Sequence, residues 1–263
     1  MSEGTPHISS LKRTLSMLEA VIADGGSNGL SYLARRIGMP IATAHRQVTT
    51  LVSESYLTPA GGGRHVAGAR LLGLLHRLDE KQIVANVAAP VLHQLAAQVR
   101  SVVQLGTFEN DMVTYRIKTG RGASDLFTRV DMQLEAYCSG MGKVLLAHLP
   151  KQEREAYLAG GPFVSLTERT IVDPEQLRAA LDTVFELGYA IDDEEIVLGL
   201  RCMAVPLRNR NGAVIAAISV SQANSAKTRT SDVELLEMLR ACASRIEREV
   251  CGNQADQPIS RCR

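Results

Sequence analysis

Leu30-Ser31-Tyr32-Leu33-Ala34-Arg35-Arg36-Ile37-Gly38-Met39-Pro40-Ile41-Ala42-Thr43-Ala44-His45-Arg46-Gln47-Val48-Thr49-Thr50-Leu51-Val52 decides how the N-terminal part of the chain folds. Leu30, Leu33, Ala34 and Ile37 share one face of a short helix, and Gly38 stops it by accepting the left-handed conformation that helix ends favour. Pro40 suits the first turn of a following helix, where a missing N–H has no acceptor to leave unsatisfied. That helix runs from Ile41 to about Ser55, with Ala44, Val48, Leu51 and Val52 on its apolar stripe and Thr43, Arg46, Gln47 and Thr50 largely off it.

Upstream, Ile8, Leu11, Leu15, Leu18 and Ile22 recur at helical spacing until Asp24-Gly25-Gly26-Ser27 ends the run. Downstream, Tyr56-Leu57-Thr58 and His65-Val66-Ala67 flank Pro59-Ala60-Gly61-Gly62-Gly63-Arg64, a hairpin with a flexible basic tip. Three helices and a hairpin make a winged helix-turn-helix over residues 8–68. Such a unit lays its third helix in the DNA major groove, so Thr43, His45, Arg46 and Gln47 are the candidate base readers. Arg46 suits guanine and Gln47 adenine, each pairing contributing roughly 1–3 kcal/mol of discrimination, while Arg64 on the wing meets phosphate. Two alternatives stay open. The unit could serve only protein–protein contact, because fold does not set function, and His45 could pack against a neighbouring helix, as half-buried histidines do.

Charge distribution supports the DNA reading. The formal net charge is only +1. Before residue 79, however, Lys12, Arg13, Arg35, Arg36, Arg46, Arg64, Arg70 and Arg77 face only Glu3, Glu19, Asp24 and Glu54, with His7, His45, His65 and His76 in addition. The 263 residues exceed one ordinary domain, and 45% hydrophobic against 22% charged residues allows packed cores. The five cysteines, at 138, 202, 242, 251 and 262, are odd in number and lack CxxC spacing, which argues against a zinc cluster or a disulfide framework. No metal or cofactor is expected. The absence of a long apolar run or a signal-like start leads to the expectation of a cytoplasmic protein.

Leu71, Leu74, Leu75 and Leu78 continue as a helix, read as a linker over residues 69–85, and Val87, Val91, Leu95 and Val99 extend the pattern around Pro90, placed in a first turn. From Ser101 the chain is β-rich, with a turn at Glu109-Asn110-Asp111 and a second hairpin at Asn209-Arg210-Asn211-Gly212. Asp173-Pro174-Glu175-Gln176 starts a helix that Gly188 ends, and Ser231-Asp232-Val233-Glu234 is a capping box. Residues 86–250 therefore form an antiparallel-leaning α+β domain, followed by a tail, 251–263, read as disordered.

Within that domain Cys138-Ser139-Gly140-Met141-Gly142-Lys143 opens a helix whose first amides and dipole suit an anion such as a carboxylate; a tight strand-to-helix turn is the plainer explanation of its glycines. On the strand 215–221, Ser219 and Ser221 face the same way past the small Ala217, either toward a ligand or toward neighbouring backbone.

The stretches SLKRTLSMLEAV and LSYLARRIGMPIATAHRQVTTLVSESYL, followed in order by CSGMGKVLLAHLP, LTERTIVDPEQL, ELGYAIDDEE and GLRCMAVPLRNRNGAVIAAISVS, resemble the IclR family of transcription regulators over nearly residues 8–250. Ile41-Ala42 departs from the polar pair common before the Thr, Val184-Phe185-Glu186 replaces frequent basic residues, and Met141 is bulkier than usual. The resemblance implies a GAF-like effector-binding domain, operator DNA as partner, a homodimer or dimer of dimers, and repression ahead of activation. It also implies that the effector contacts Gly140, Met141, Asp192, Cys202, Ser219 and Ser221, with Met112, Leu126 and Leu134 as apolar walls. A small organic acid, aromatic or sugar-derived, fits helix-start amides and hydroxyls between apolar walls.

The same residues allow other chemistry. Cys138 or Cys202 with His148 or Asp192 are the only nucleophile–base candidates, and their spacing matches no catalytic signature, so no enzyme is expected. A redox-sensing regulator using Cys138 and Cys202 is the alternative reading, and the plain one is that buried cysteines act as small hydrophobes, preferred for Cys242. Asp192-Asp193-Glu194-Glu195 is read as a solvated turn, since adjacent carboxylates cannot all converge on one ion.

Overall fold

The computed structural model describes residues 7–224 and 230–251. The chain divides into two compact units between Leu78 and Asp79. The residues after Cys251, expected as a disordered tail, lie outside the described residues.

The first unit contains α1 (Ser9–Asp24), α2 (Leu30–Arg36), α3 (Ile41–Ser53), β1 (Leu57–Gly61), β2 (Arg64–Ala67) and α4 (Ala69–Leu75). Apolar residues at helical spacing close one core in which Met17, Leu33, Ala44, Val48 and Leu57 are buried. Full burial of a side chain such as Leu33 stabilises by about 1.5–3 kcal/mol. Strands β1 and β2 pair antiparallel, Leu57 opposite Ala67 and Thr58 opposite Val66. The tip is tied back where the Leu30 N–H donates to the Gly63 carbonyl at 3.0 Å, giving the first N–H of α2 the acceptor that its own helix cannot supply.

Two expectations are corrected by local chemistry. The linker expected as one helix over 69–85 is interrupted, since α4 ends at Leu75 and α5 begins at Glu80. Asp79 is extended, and its carboxylate accepts from the Lys81 and Gln82 amides at 3.0 and 3.2 Å, so it starts a new helix. Pro90, expected in a first turn, lies inside α5 (Glu80–Val99). Its ring is on the exposed side, so the carbonyl left without a donor reaches water, while Val84, Ala85 and Ala88 before it and Val91, Leu92 and Leu95 after it are buried and hold the helix together.

The second unit adds β3 (Val102–Glu109), β4 (Met112–Thr119), β5 (Gln133–Glu135), α6 (Gly140–Ala147), α7 (Lys151–Ala159), α8 (Pro174–Leu187), β6 (Ala190–Asp193), β7 (Leu200–Arg208), β8 (Val214–Ala223) and α9 (Asp232–Val250). Its strands form a six-stranded sheet in the order β5-β4-β3-β8-β7-β6, every pairing antiparallel. The signals that end elements are local. Asn110 and Asp111 turn the β3–β4 hairpin at φ 52° and 62°, and Asp173 and Ser231 cap α8 and α9 by accepting from Gln176 N and Glu234 N. The period-two alternation then sorts side chains: Leu105, Val205, Ile218 and Val220 pack under α5 and α9, while Tyr115, Ala204 and Ala217 face α6 and α8. Helices on both faces of a curled antiparallel sheet make the GAF-like α+β architecture.

Candidate functional site

On α3, His45 and Arg46 are exposed, Thr43 is half-buried, and Arg64 is exposed on the wing. Gln47 departs from its expected place. It is 9% exposed, and its Oε1 has no partner among the described residues. The reason is helical spacing, because position 47 lies three after buried Ala44 and four before buried Leu51, which turns it inward. Thr49, four residues after His45, is exposed on that outer face instead; its hydroxyl donates to the His45 carbonyl at 2.9 Å. Burial, with His45 nearby, lowers the pKa of His65 and favours its neutral form.

In the second unit, strand register gathers residues far apart in sequence. Asp192 lies opposite Cys202 and Cys202 opposite Ser221, while Ala204 lies opposite Ser219 and Ser219 opposite Gln104. Together with the start of α6 these rows line one cavity of about 20 Å³, which Gly140, Met141, Asp192, Cys202, Ser219 and Ser221 all border. Its remaining walls include Gln104, Tyr115, Leu126, Phe127, Thr128 and Ile196. Of the apolar walls named from sequence, Leu126 is there, whereas Met112 and Leu134 line other pockets.

The α6 start is built by close backbone approach. Ser139 Oγ accepts from Gly142 N at 2.9 Å, and a Cβ on Gly142 would lie 2.0 Å from the Ala136 carbonyl oxygen, so only glycine fits. At Gly140 the nearest atoms to such a Cβ are the Cys202 carbonyl oxygen at 3.5 Å and Asp192 N at 3.6 Å, so a methyl there makes only ordinary contact with residues that border the cavity. The first amides of α6 have no acceptor within their own helix.

The polar wall is a connected network. Cys202 Sγ donates to Ser221 Oγ at 3.2 Å, Ser221 Oγ to Gln104 Oε1 at 3.4 Å, and Gln104 Nε2 to Thr128 Oγ1 at 2.7 Å. Lys118 Nζ holds the loop that carries Thr128 through the Leu126 carbonyl at 2.8 Å and the Thr128 carbonyl. Beneath lies a charged layer that the sequence reading missed. The segment 192–195, expected as a solvated turn, is split: Asp192 and Glu195 are only 2% and 6% exposed, Glu195 pairs with buried Lys143, and Asp193 points outward to Arg169 and Arg201. Asp192 accepts from Glu195 N at 2.8 Å. Burial nonetheless raises its pKa to about 6, against the Glu195 amide and the Lys143 charge, which pull it down. Burial likewise raises Glu195, with Lys143 opposing.

Burial pushes the Cys138 thiol up to about 12 and raises Cys202 as well. Thiolate is disfavoured at both, opposite to what a redox sensor needs.

Residues 76–248 match the family described as "Bacterial transcriptional regulator IclR C-terminal", and residues 10–61 match the "IclR helix-turn-helix domain". The chain belongs to the IclR family. As an IclR-family protein it is a transcriptional regulator with an N-terminal DNA-binding domain and a C-terminal effector-binding domain, and not an enzyme. The Pca regulon regulatory protein of Pseudomonas putida is 30% identical over 216 residues, covering 81% of this chain and 74% of that protein. A crystal structure of an IclR homolog from Microbacterium hydrocarbonoxydans complexed with 4-hydroxybenzoate is 30% identical, with a TM-score of 0.61 over 92% of this chain and 98% of the other. The Agobacterium tumefaciens repressor BlcR is 25% identical, with a TM-score of 0.69, covering 93% of this chain and 98% of its own. Among the described residues no helix is long and apolar enough to cross a membrane.

Proposed function

We propose that this regulator is a cytoplasmic repressor whose hold on operator DNA is modulated by a small organic acid bound at the α6 cavity. The observation that carries the reading is the convergence of Gly140, Met141, Asp192, Cys202, Ser219 and Ser221 on one cavity. The acid's carboxylate takes the Gly140 and Met141 amides at the positive end of α6, and Ser219, Ser221 and Gln104 take its other polar groups. An aromatic ring suits Tyr115, Leu126, Phe127 and Ile196 better than a sugar-derived chain does, and the 4-hydroxybenzoate complex of a relative supports that choice. A cavity of about 20 Å³ has room for about one water. Ligand entry therefore displaces the Leu126–Thr128 and Ile196–Leu200 segments, and this displacement is the first step of signalling.

On DNA, His45, Arg46 and Thr49 read the major groove, Thr43 supports them from a half-buried position, and Arg64 meets phosphate. Residues 8–68 form the DNA-binding domain, 86–250 the effector domain, and the interrupted segment 69–85 transmits between them. Self-association is supported by α1, which exposes Leu11, Leu15 and Ile22 at the spacing of one helix face, with Ile8 exposed just before it, and by the need of a single winged helix for more base contacts than it makes alone. A homodimer or dimer of dimers supplies them.

A gel shift on the chain's own upstream promoter region, with the Arg46→Ala variant beside the wild type and hydroxybenzoates and sugar acids added, tests both halves. A salt-sensitive shift lost in the variant and altered by one acid supports the reading. Salt-insensitive or absent binding of every fragment sinks the DNA half, and indifference to all acids sinks the effector half.

A further inference from the structure

A second pocket, of about 540 Å³ and sharing no residue with the α6 cavity, lies between the β3–β4 turn, α7 and the segment 160–164. Aromatic rings line it. Phe163 stacks on Tyr157 with centroids 5.7 Å apart and tilts on Tyr137 at 4.8 Å, and Phe108 meets Tyr157 edge-on at 6.2 Å. The phenol oxygens are already engaged: Tyr137 OH donates to the Val164 carbonyl at 2.7 Å, and Tyr157 OH accepts from Tyr137 N at 3.2 Å. Carboxylates stand at the rim. Asp111, Glu135 and Glu153 all border the pocket and are exposed, and their carboxylates make no hydrogen bond or ion pair with a described residue. Among the described residues no Lys, Arg or His lines the pocket; Lys81 Nζ, which donates to the carbonyl of the lining Phe108 at 2.9 Å, is paired with Glu109 at 3.4 Å.

What the site offers is thus aromatic surface, from Phe108, Tyr157 and Phe163 around the buried Tyr137, and the negative charge of three carboxylates, with the Tyr137 hydroxyl committed and the Tyr157 oxygen already accepting. An anion is repelled there, and a neutral polar molecule finds few donors. A cation with an apolar shell is complementary on both counts, since ring faces attract it electrostatically and nearby carboxylates add to the same field. We propose that this pocket is a second ligand site, for a small organic cation of the alkylated ammonium type, separate from the organic-acid site. It gives the regulator an input of opposite charge to its effector.

The probe is tetramethylammonium chloride, titrated into the full chain by calorimetry against sodium chloride at equal ionic strength, with tert-butanol as the neutral analogue of similar shape. The variants are Glu135→Gln with Glu153→Gln, both at exposed positions, and Phe163→Leu, which keeps apolar volume and removes the ring. Saturable binding is expected, weakened at least about fivefold by the paired Gln variant, weakened by Phe163→Leu, and unchanged in Gly140→Ala. Circular dichroism confirms that the paired Gln variant is folded. Equal binding of tert-butanol, undiminished affinity in the paired Gln variant, or a response matched by sodium chloride would each overturn the proposal.

Discussion

Replacing Asp192 by Asn keeps the shape of the buried side chain and its acceptor for Glu195 N, while removing the ionisation. Asp192 is 2% exposed, and burial raises its pKa from 3.8 to about 6. The folded state therefore holds a proton that the unfolded chain releases. The stability this proton contributes is fully present below pH 3.8 and is lost as pH rises through about 6. At about 1.4 kcal/mol per pH unit, the ionised carboxylate costs the folded protein about 3 kcal/mol at neutral pH. Asp192→Asn escapes that cost, so its stability relative to wild type should rise by about 3 kcal/mol between about pH 4 and about pH 8. Urea unfolding of both proteins across that range, following the transition of the C-terminal unit, measures the difference. A difference that stays constant with pH would show that Asp192 ionises as an ordinary surface carboxylate, and the account of a dry cavity floor would fall with it.

Arg46→Ala should weaken binding to the specific operator by about 10- to 100-fold and relax preference at one base pair. Arg64→Ala should weaken all sequences alike and lower the slope of log affinity against log salt by about 1; gel shifts across a salt series separate the two. Gly140→Ala, whose added methyl meets nothing nearer than 3.5 Å, should keep the wild-type melting temperature and lose effector binding by calorimetry. Gly142→Ala, whose methyl would sit 2.0 Å from the Ala136 carbonyl oxygen, should lose roughly 3 kcal/mol or more in a thermal melt. Cys138 and Cys202 should resist thiol reagents at neutral pH until the protein is denatured, and peroxide should leave operator binding unchanged. Loss of binding that dithiothreitol restores would bring the redox reading back.

Much of this protein was legible in its sequence, because the signals involved act over a few residues. The spacing of Leu30, Leu33 and Ala34 and then of Ala44, Val48 and Leu51, the caps at Asp173 and Ser231, and the turn at Asn209-Gly212 each act through neighbouring backbone, and each element formed where its signal stood. Even the common face of Ser219 and Ser221 followed from strand alternation. Tertiary structure decided whatever depended on a distant surface. Gln47 turned inward because the core it faces is assembled from other elements. Pro90 stayed inside a helix because buried residues on both sides hold its ends together. The Lys143–Glu195 pair spans 52 positions, and the rows that bring Asp192, Cys202 and Ser221, and Ser219 and Gln104, into one cavity exist only through the register of β6, β7, β8 and β3. Register and burial are set by the whole sheet and the helices covering it, so no window along the chain contains them.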